Sequence, residues 1–257
     1  MAFAKLLAAS VVSMCMMVAA NADTVLKIGT VIDQAPFEYR DSNGNVAGLE
    51  VGLGEKMCEI MKVKCEWVTM DFDALIPALK AKKVDAVFSQ MTITKERQQT
   101  IDFSNPVTSA LVQYVAKVGS TINENPKSLA GKTIGVQSGS IQEKYMHTRL
   151  PDVNVKVYQT LTEAYLDLQA GRIDAVLDDK SSEYGWISTE GKKTGFDYVG
   201  KAVQDPDVFG PGTGIAVRKG DKQLLNKING ALHQIMADGT FARESAKVFP
   251  FSIAPTN

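Results

Sequence analysis

The chain has 257 residues, with 28 lysines and arginines against 29 aspartates and glutamates and a formal net charge of −1. A balance this close to neutral, without a clustered basic face, excludes nucleic acid and anionic membrane surfaces as partners. With 45% hydrophobic residues, the length suits one large domain or two small ones with proper cores.

The first residues read as a targeting segment. Lys5 supplies a positive start, residues 6–18 form an uncharged apolar run, and Ala20-Asn21-Ala22 is a small-residue cleavage signature. The run is shorter than the roughly 20 residues a membrane span needs. We therefore expect cleavage after Ala22 and a soluble, exported protein from Asp23. Cys15 offers lipid attachment as an alternative, opposed by Met14 before it and by the apolar residues after it. Beyond the leader stand Cys58 and Cys65. An even pair so close in sequence, in an exported protein, reads as a disulfide. A metal site is the alternative, opposed by a spacing that is not CxxC and by the lack of a nearby His.

In chain order, residues 25–29 (VLKIG) predict a strand, and residues 30–37 an irregular segment. Residues 38–40 and 46–47 flank Asp41-Ser42-Asn43-Gly44, a hairpin signature with Gly in the tight turn. Val51, Met57, Cys58 and Met61 share a helical face, and residues 64–70 predict the strand to which a disulfide would tie that helix. Asp71 or Asp73 is the expected cap of a helix carrying Leu75, Leu79 and the early Pro77.

Val84, Ala86, Val87 and Phe88 then predict a short buried strand that opens into the polar turn Ser89-Gln90-Met91-Thr92. Thr94 is expected to start a helix with Arg97 in its first turn, where a cation opposes the helix macrodipole. Free N–H groups, an Arg fork and nearby hydroxyl and amide groups suit a carboxylate. A plain strand-to-helix connection with a surface Arg is the alternative. The β-α-β-α-β pattern to this point implies a parallel sheet with helices on its faces.

Residues 110–118 form an extended apolar stretch, and the polar residues 119–127 mark a lobe boundary. A second α/β unit follows. Residues 132–136 predict a strand, Ser140 to Glu143 a capping box, residues 153–158 a strand, and Thr160 to Glu163 a second capping box. Residues 75–90 (LIPALKAKKVDAVFSQ) and 165–180 (YLDLQAGRIDAVLDDK) share a helix, a basic connector and a V/I-D-A-V strand with a polar end. Ligands of open α/β sheets bind beyond the carboxyl ends of strands. Ser89 to Thr92 and the pair Asp178 and Asp179 are therefore candidate walls of one site. Residues 204–212 are Pro/Gly/Asp-rich and return the chain to the first unit. Residues 215–217 predict a strand, residues 222–238 a long amphipathic helix stopped by Gly239, and residues 241–248 a last helix.

GxxxxGK[ST], HExxH and GxSxG do not occur, which moves weight from enzyme to binding module. Seven blocks in order carry a family likeness: LKIGT…APFEY, GLEVGLGEKMCEIMKVKCEW, DFDALIPALKAKKVDAVFSQMTITKERQQTIDFS, LAGKTIGVQSGS, LQAGRIDAVLDD, GTGIAVRKGD and MADGTFARESAKVF. They resemble periplasmic solute-binding proteins of polar amino-acid ABC transporters, closest to the lysine/arginine/ornithine- and histidine-binding branch.

The resemblance implies a type II periplasmic-binding-protein fold, with two α/β lobes joined by two crossing segments. Lobe 1 would comprise residues 23–109 and 213–257, and lobe 2 residues 110–212. It implies a monomeric periplasmic receptor without cofactor or metal, which closes on a free amino acid and delivers it to a membrane ABC permease. Arg97 would hold the α-carboxylate, with N–H groups near Thr92 and Ile141. Asp179 and the Thr92 hydroxyl would hold the α-ammonium, and Phe72 would be the platform for the ligand side chain. Ser89, Gln137, Val31 and Gln34 match the other lining positions.

Cation-binding relatives carry Asp where Val31 stands and an aromatic where Gln34 stands, and Gln90 replaces a small residue. Basic and neutral polar amino acids, and conjugates such as opines, all stay open. An enzyme on this scaffold, a cyclohexadienyl dehydratase, is the alternative.

Overall fold

The computed structural model describes residues 24–255; the expected leader, its cleavage site and Cys15 lie outside them. The chain runs through β1 (Val25–Thr30), β2 (Asp33–Gln34), β3 (Glu38–Arg40), β4 (Val46–Ala47) and helix α1 (Leu49–Met61). Strands β2, β3 and β4 make a small antiparallel sheet whose hairpin holds Gly44 at φ 82°, the left-handed region that glycine enters without a Cβ penalty. Next come β5 (Lys64–Thr69), α2 (Leu75–Lys80), β6 (Ala86–Val87), α3 (Arg97–Thr100) and β7 (Ile101–Phe103). Cys58 and Cys65 are disulfide-bonded, with Cα atoms 5.9 Å apart, so the end of α1 is tied to the start of β5.

The second unit contains β8 (Val112–Lys117), β9 (Thr133–Gln137), α4 (Ile141–Arg149), β10 (Asn154–Tyr158), α5 (Leu161–Gln169), β11 (Ala175–Asp179), α6 (Lys180–Trp186), β12 (Phe196–Val203) and α7 (Pro206–Phe209). The chain closes with β13 (Ala216–Arg218), α8 (Lys222–Ala237) and α9 (Thr240–Val248).

Two five-stranded sheets organise the molecule, ordered β5-β1-β6-β13-β7 and β10-β9-β11-β8-β12. The parallel pairing expected from the β-α-β-α-β pattern forms across β5, β1 and β6, while each sheet as a whole is mixed. Strand β13 runs antiparallel to β6 and β7, and β8 antiparallel to β11 and β12. Both are reached by segments that cross between the sheets rather than by a helix packed on one face, so neither needs a parallel crossover. The crossings meet: Thr92 and Thr108 both bridge Thr213, and the Thr108 and Thr213 hydroxyls lie 2.6 Å apart.

Alternation along the central strands supplies a core on each face. Ala86 and Phe88 pack with Leu26, Ile28 and Leu53, whereas Val84 and Val87 pack with Leu75, Leu79 and Ile101. In the second sheet Ala175 and Leu177 join Ile134 and Met146, and Val176 joins Leu161 and Leu168.

Local expectations shift in three places. Asp71 precedes a 3-10 turn, Phe72–Ala74, without a side-chain cap. Helix α3 begins at Arg97 rather than Thr94 and is one turn long, although the Thr94 hydroxyl accepts the Arg97 N–H at 3.1 Å. Residues 204–212 include α7, capped by Asp205 with Pro206 in its first turn, a position where the missing N–H is no loss.

Candidate functional site

The carboxyl end of β6 turns sharply. Gln90 has φ 44°, a left-handed conformation that costs a non-glycine residue about 1–2 kcal/mol. Buried Glu50, in the first turn of α1, holds it there. Its carboxylate accepts the Gln90 N–H at 3.0 Å and the Gln90 side-chain amide at 2.5 Å. Glu38 lies against Glu50, and both are buried. Burial, and then the Glu50 charge beside it, push the Glu38 carboxyl well up. The Ser89 hydroxyl accepts the Val31 N–H at 3.1 Å, which pins the turn to the end of β1.

Arg97 crosses from this turn to the second sheet. Its guanidinium donates to the Thr92 carbonyl at 2.9 Å and to the Gly139 carbonyl at 3.0 Å, and stands 5.5 Å from the centre of the Phe72 ring. Desolvation pulls its pKa down to about 10, against the opposing pull of the Asp179 carboxylate. It stays charged at neutral pH, with only neutral carbonyls for direct partners.

The opposite wall comes from the ends of β9 and β11. Helix α4 is capped by the Ser140 hydroxyl, which accepts the Glu143 N–H at 3.0 Å. The reciprocal arm of the expected box is displaced by one residue: Glu143 accepts the N–H of Gly139, at 2.7 Å. The box expected at Thr160 and Glu163 forms completely. On β11, the Asp178 carboxylate accepts the Asp179 N–H at 2.7 Å, while the Gln142 amide donates to Asp179 at a long 3.4 Å. Burial raises the Asp179 pKa to about 6, tempered by Gln142 and Arg97. The Asp178 carboxyl is driven well above the usual range by burial and then by the Asp179 charge.

These elements enclose a small cavity lined by Gln34, Phe72, Gln90, Thr92 and Arg97 from one side and by Gln137, Ser140, Ile141, Gln142, Asp178, Asp179 and Ser182 from the other. Further contacts bridge the two sides: Ser138 donates to Asp73 at 2.9 Å, the Leu161 N–H donates to Asp33 at 3.0 Å, and Lys144 pairs with Glu96.

Most of the residues expected at the site meet at this cavity, but Ser89 and Val31 stand behind its wall. Ser89 is wholly buried with its hydroxyl spent on Val31, and Val31 packs in the core with Phe72, Leu75 and Met91. Ser140, Gln142 and Ser182 line the cavity without having been predicted. The available signal was the S-x-x-E start of α4, which carries Ser140 and Gln142; Ser182, in α6 just past the end of β11, had none. Among the described residues, no three His, Cys, Asp or Glu side chains converge as a metal site.

Residues 26–251 match the family model described as bacterial extracellular solute-binding proteins, family 3. The chain is 40% identical over 239 residues to the L-arginine-binding protein of Pseudomonas aeruginosa, covering 92% of each. It is 42% identical over 238 residues to the lysine/arginine/ornithine-binding periplasmic protein of Escherichia coli, covering 91% of each. Among solved structures it resembles a Salmonella typhimurium periplasmic binding protein described for high arginine specificity, with TM-score 0.82, 30% identity, and coverage of 88% of this chain and 99% of that one. It also resembles an ancestral arginine-binding protein bound to arginine, with TM-score 0.80, 36% identity, and coverage of 88% and 98%, and, with the same values, a structure described as an ancestral arginine-binding protein bound to glutamine.

Proposed function

This chain belongs to the bacterial extracellular solute-binding proteins, family 3, and on that premise we propose that it captures one free polar amino acid between its lobes and delivers it to a membrane ABC importer. Residues 1–22 are read as the export signal, cleaved after Ala22. Lobe 1 is taken as residues 23–109 and 213–257, and lobe 2 as residues 110–212.

One observation carries the reading. Arg97 and Asp179, of opposite charge and from opposite lobes, line a single small cavity. Arg97 is assigned the α-carboxylate, for which its fork suits bidentate pairing. The first N–H groups of α4, at Ile141 and Gln142, add donors to the same anion. Asp179 is assigned the α-ammonium, with the Thr92 hydroxyl, and Phe72 the apolar part of the side chain. The guanidinium bonds to the Thr92 and Gly139 carbonyls would be exchanged for charge-assisted ones, which are about twice as strong. The relatives described above are binding proteins rather than enzymes, and the dehydratase alternative draws nothing from them.

The test is calorimetry on the mature protein, after a thermal-shift screen over the common amino acids, ornithine, citrulline and opines. Arg97→Ala and Asp179→Ala should each weaken binding by about 100-fold or more, because each leaves a buried charge without its partner. Near-wild-type affinity in either variant overturns the assignment.

A further inference from the structure

We propose that Glu50 is a positioning residue for the ligand cavity: with Glu38 as its neutral hydrogen-bond donor, it holds Gln90 in the left-handed turn that places Thr92 and Arg97 on the cavity wall. The inference rests on the roles given above to Thr92 and Arg97, and concerns what keeps them in place. Among the described residues, Lys62, Lys82 and Gln90 are the non-glycine residues with positive φ. The two lysines sit just past the ends of α1 and α2, where a left-handed residue is usual. Gln90 instead follows a strand and is buried, and it lacks the short side chain that lets Asn or Asp enter this region. Glu50 grips it twice, at the N–H and at the side-chain amide. The other end of that amide, Oε1, lies a long 3.4 Å from the Thr108 hydroxyl, which itself contacts Thr213 on the second crossing. The turn is thus clamped between α1 and both crossing segments.

The supply of donors divides the roles of the two acids. Glu50 accepts two N–H groups from Gln90, and such bonds favour the ionised form. Both Glu38 oxygens are buried and find no donor in the chain. Ionised, Glu38 would be a bare charge beside a second one, which is costly to bury; neutral, it supplies the O–H that Glu50 can accept. Burial raises both carboxyls, Glu38 the further, and Asp33, which also bears on Glu38, is itself an acid. The backbone keeps the pair together. The Glu50 N–H donates to the Phe37 carbonyl at 3.2 Å, and a Cβ on Gly48 would stand 2.0 Å from that oxygen. Thr92 lies two residues past Gln90, and its carbonyl accepts the Arg97 guanidinium. A relaxed turn would therefore displace the groups assigned to the α-ammonium and α-carboxylate, which every free amino acid carries, and affinity would fall by one factor whatever the ligand side chain.

Calorimetric titration of the mature protein with L-arginine, L-lysine and L-glutamine tests this. Glu50→Gln keeps the shape but turns one acceptor into a donor that faces donors. It should weaken every one of these ligands that the wild type binds by about tenfold, the factor to which left-handed strain corresponds. Glu38→Ala, which removes the donor to Glu50, should weaken them by about threefold or more, and Glu38→Gln, a neutral donor of the same shape, should restore wild-type affinity within about twofold. Equal losses in the two same-shape variants, Glu50→Gln and Glu38→Gln, would reduce the pair to packing and overturn the proposal. Glycine enters the left-handed region without strain, so in the Gln90→Gly background Glu50→Gln should cost less than about twofold. A full tenfold loss in that background overturns the proposal, and this comparison decides the matter if Glu50→Gln alone does not fold. Unchanged affinity in Glu50→Gln, or a loss confined to one ligand while another is kept, also overturns it and leaves the amino-acid reading standing. Binding of none of the three by the wild type overturns both.

Discussion

Asp179 shows how one side chain can make folding and binding answer to pH with opposite signs. Its pKa is about 6 in the folded chain against an ordinary 3.8, chiefly through burial. Between those values the folded form holds a proton that the unfolded form releases. Its stabilising contribution is therefore full below about pH 4 and is lost as the pH rises through 6. On the role proposed for Asp179, binding runs the other way, because an α-ammonium needs the carboxylate. Arg97, Gln142 and Asp178 face the group and all bear on its ionisation. Lowering the pH from 7.5 to 5 should weaken amino-acid binding by about tenfold, as the ionised fraction of a group titrating near 6 falls by that factor. An Asp179→Asn variant that keeps measurable binding should lose most of that slope; an unchanged slope would remove Asp179 from the ammonium role. Arg97 was legible as a candidate anion site because a cation at a helix start gains nothing locally. The position of Val31 was not readable, because only the packing of α2 against β1 shows that it faces core.

At the scale of elements, the parts with strong local codes were legible. Helix α8 carries a long apolar stripe and an Asp221 cap, and the Thr160 box forms as expected. Strand β6 is shorter than its apolar run, because ladder pairing with β1 and β13 covers only Ala86 and Val87. Helix α6 and strand β12 were not read at all. The first has Gly185 in its middle and the second has Gly200 and Lys201, so both owe their form to tertiary contacts rather than to pattern. The disulfide between α1 and β5 is a further locally readable feature. On the chain-entropy model its short loop stabilises the fold by about 2–3 kcal/mol. Replacing both cysteines by serine should cost about that much in denaturant unfolding while leaving ligand affinity within about twofold, since neither sulfur approaches the cavity. A large loss of affinity in that variant would mean that α1, through Glu50 and Gln90, is held in place by the bridge.

At the scale of the whole molecule, function depends on two lobes meeting. A ligand favours the closed form only by its extra affinity for it. The interface is unusually intolerant at one point: a Cβ added to Gly185 in α6 would stand 1.8 Å from the Ala35 carbonyl oxygen, in the segment after β2. Gly185→Ala should therefore hold the lobes apart. Apparent affinity should fall by about tenfold or more, as the binding-competent fraction shrinks. Small-angle scattering with saturating ligand should keep the larger radius of the open form; normal compaction would contradict this account of closure.

The sequence by itself determined the α/β class, the repeated strand pattern with polar ends, the Cys58–Cys65 pairing, and the charged residues at two strand ends. Those follow from periodicity, spacing and chemistry that act within short windows. Only the tertiary structure decided that both strand ends face one cavity, that Ser89 and Val31 stand behind it, and that buried Glu50 holds the turn at Gln90. Contacts between residues far apart along the chain have no signature in either segment, because each side chain's surroundings are set by the crossing of β8 and β13 and by the approach of the two sheets.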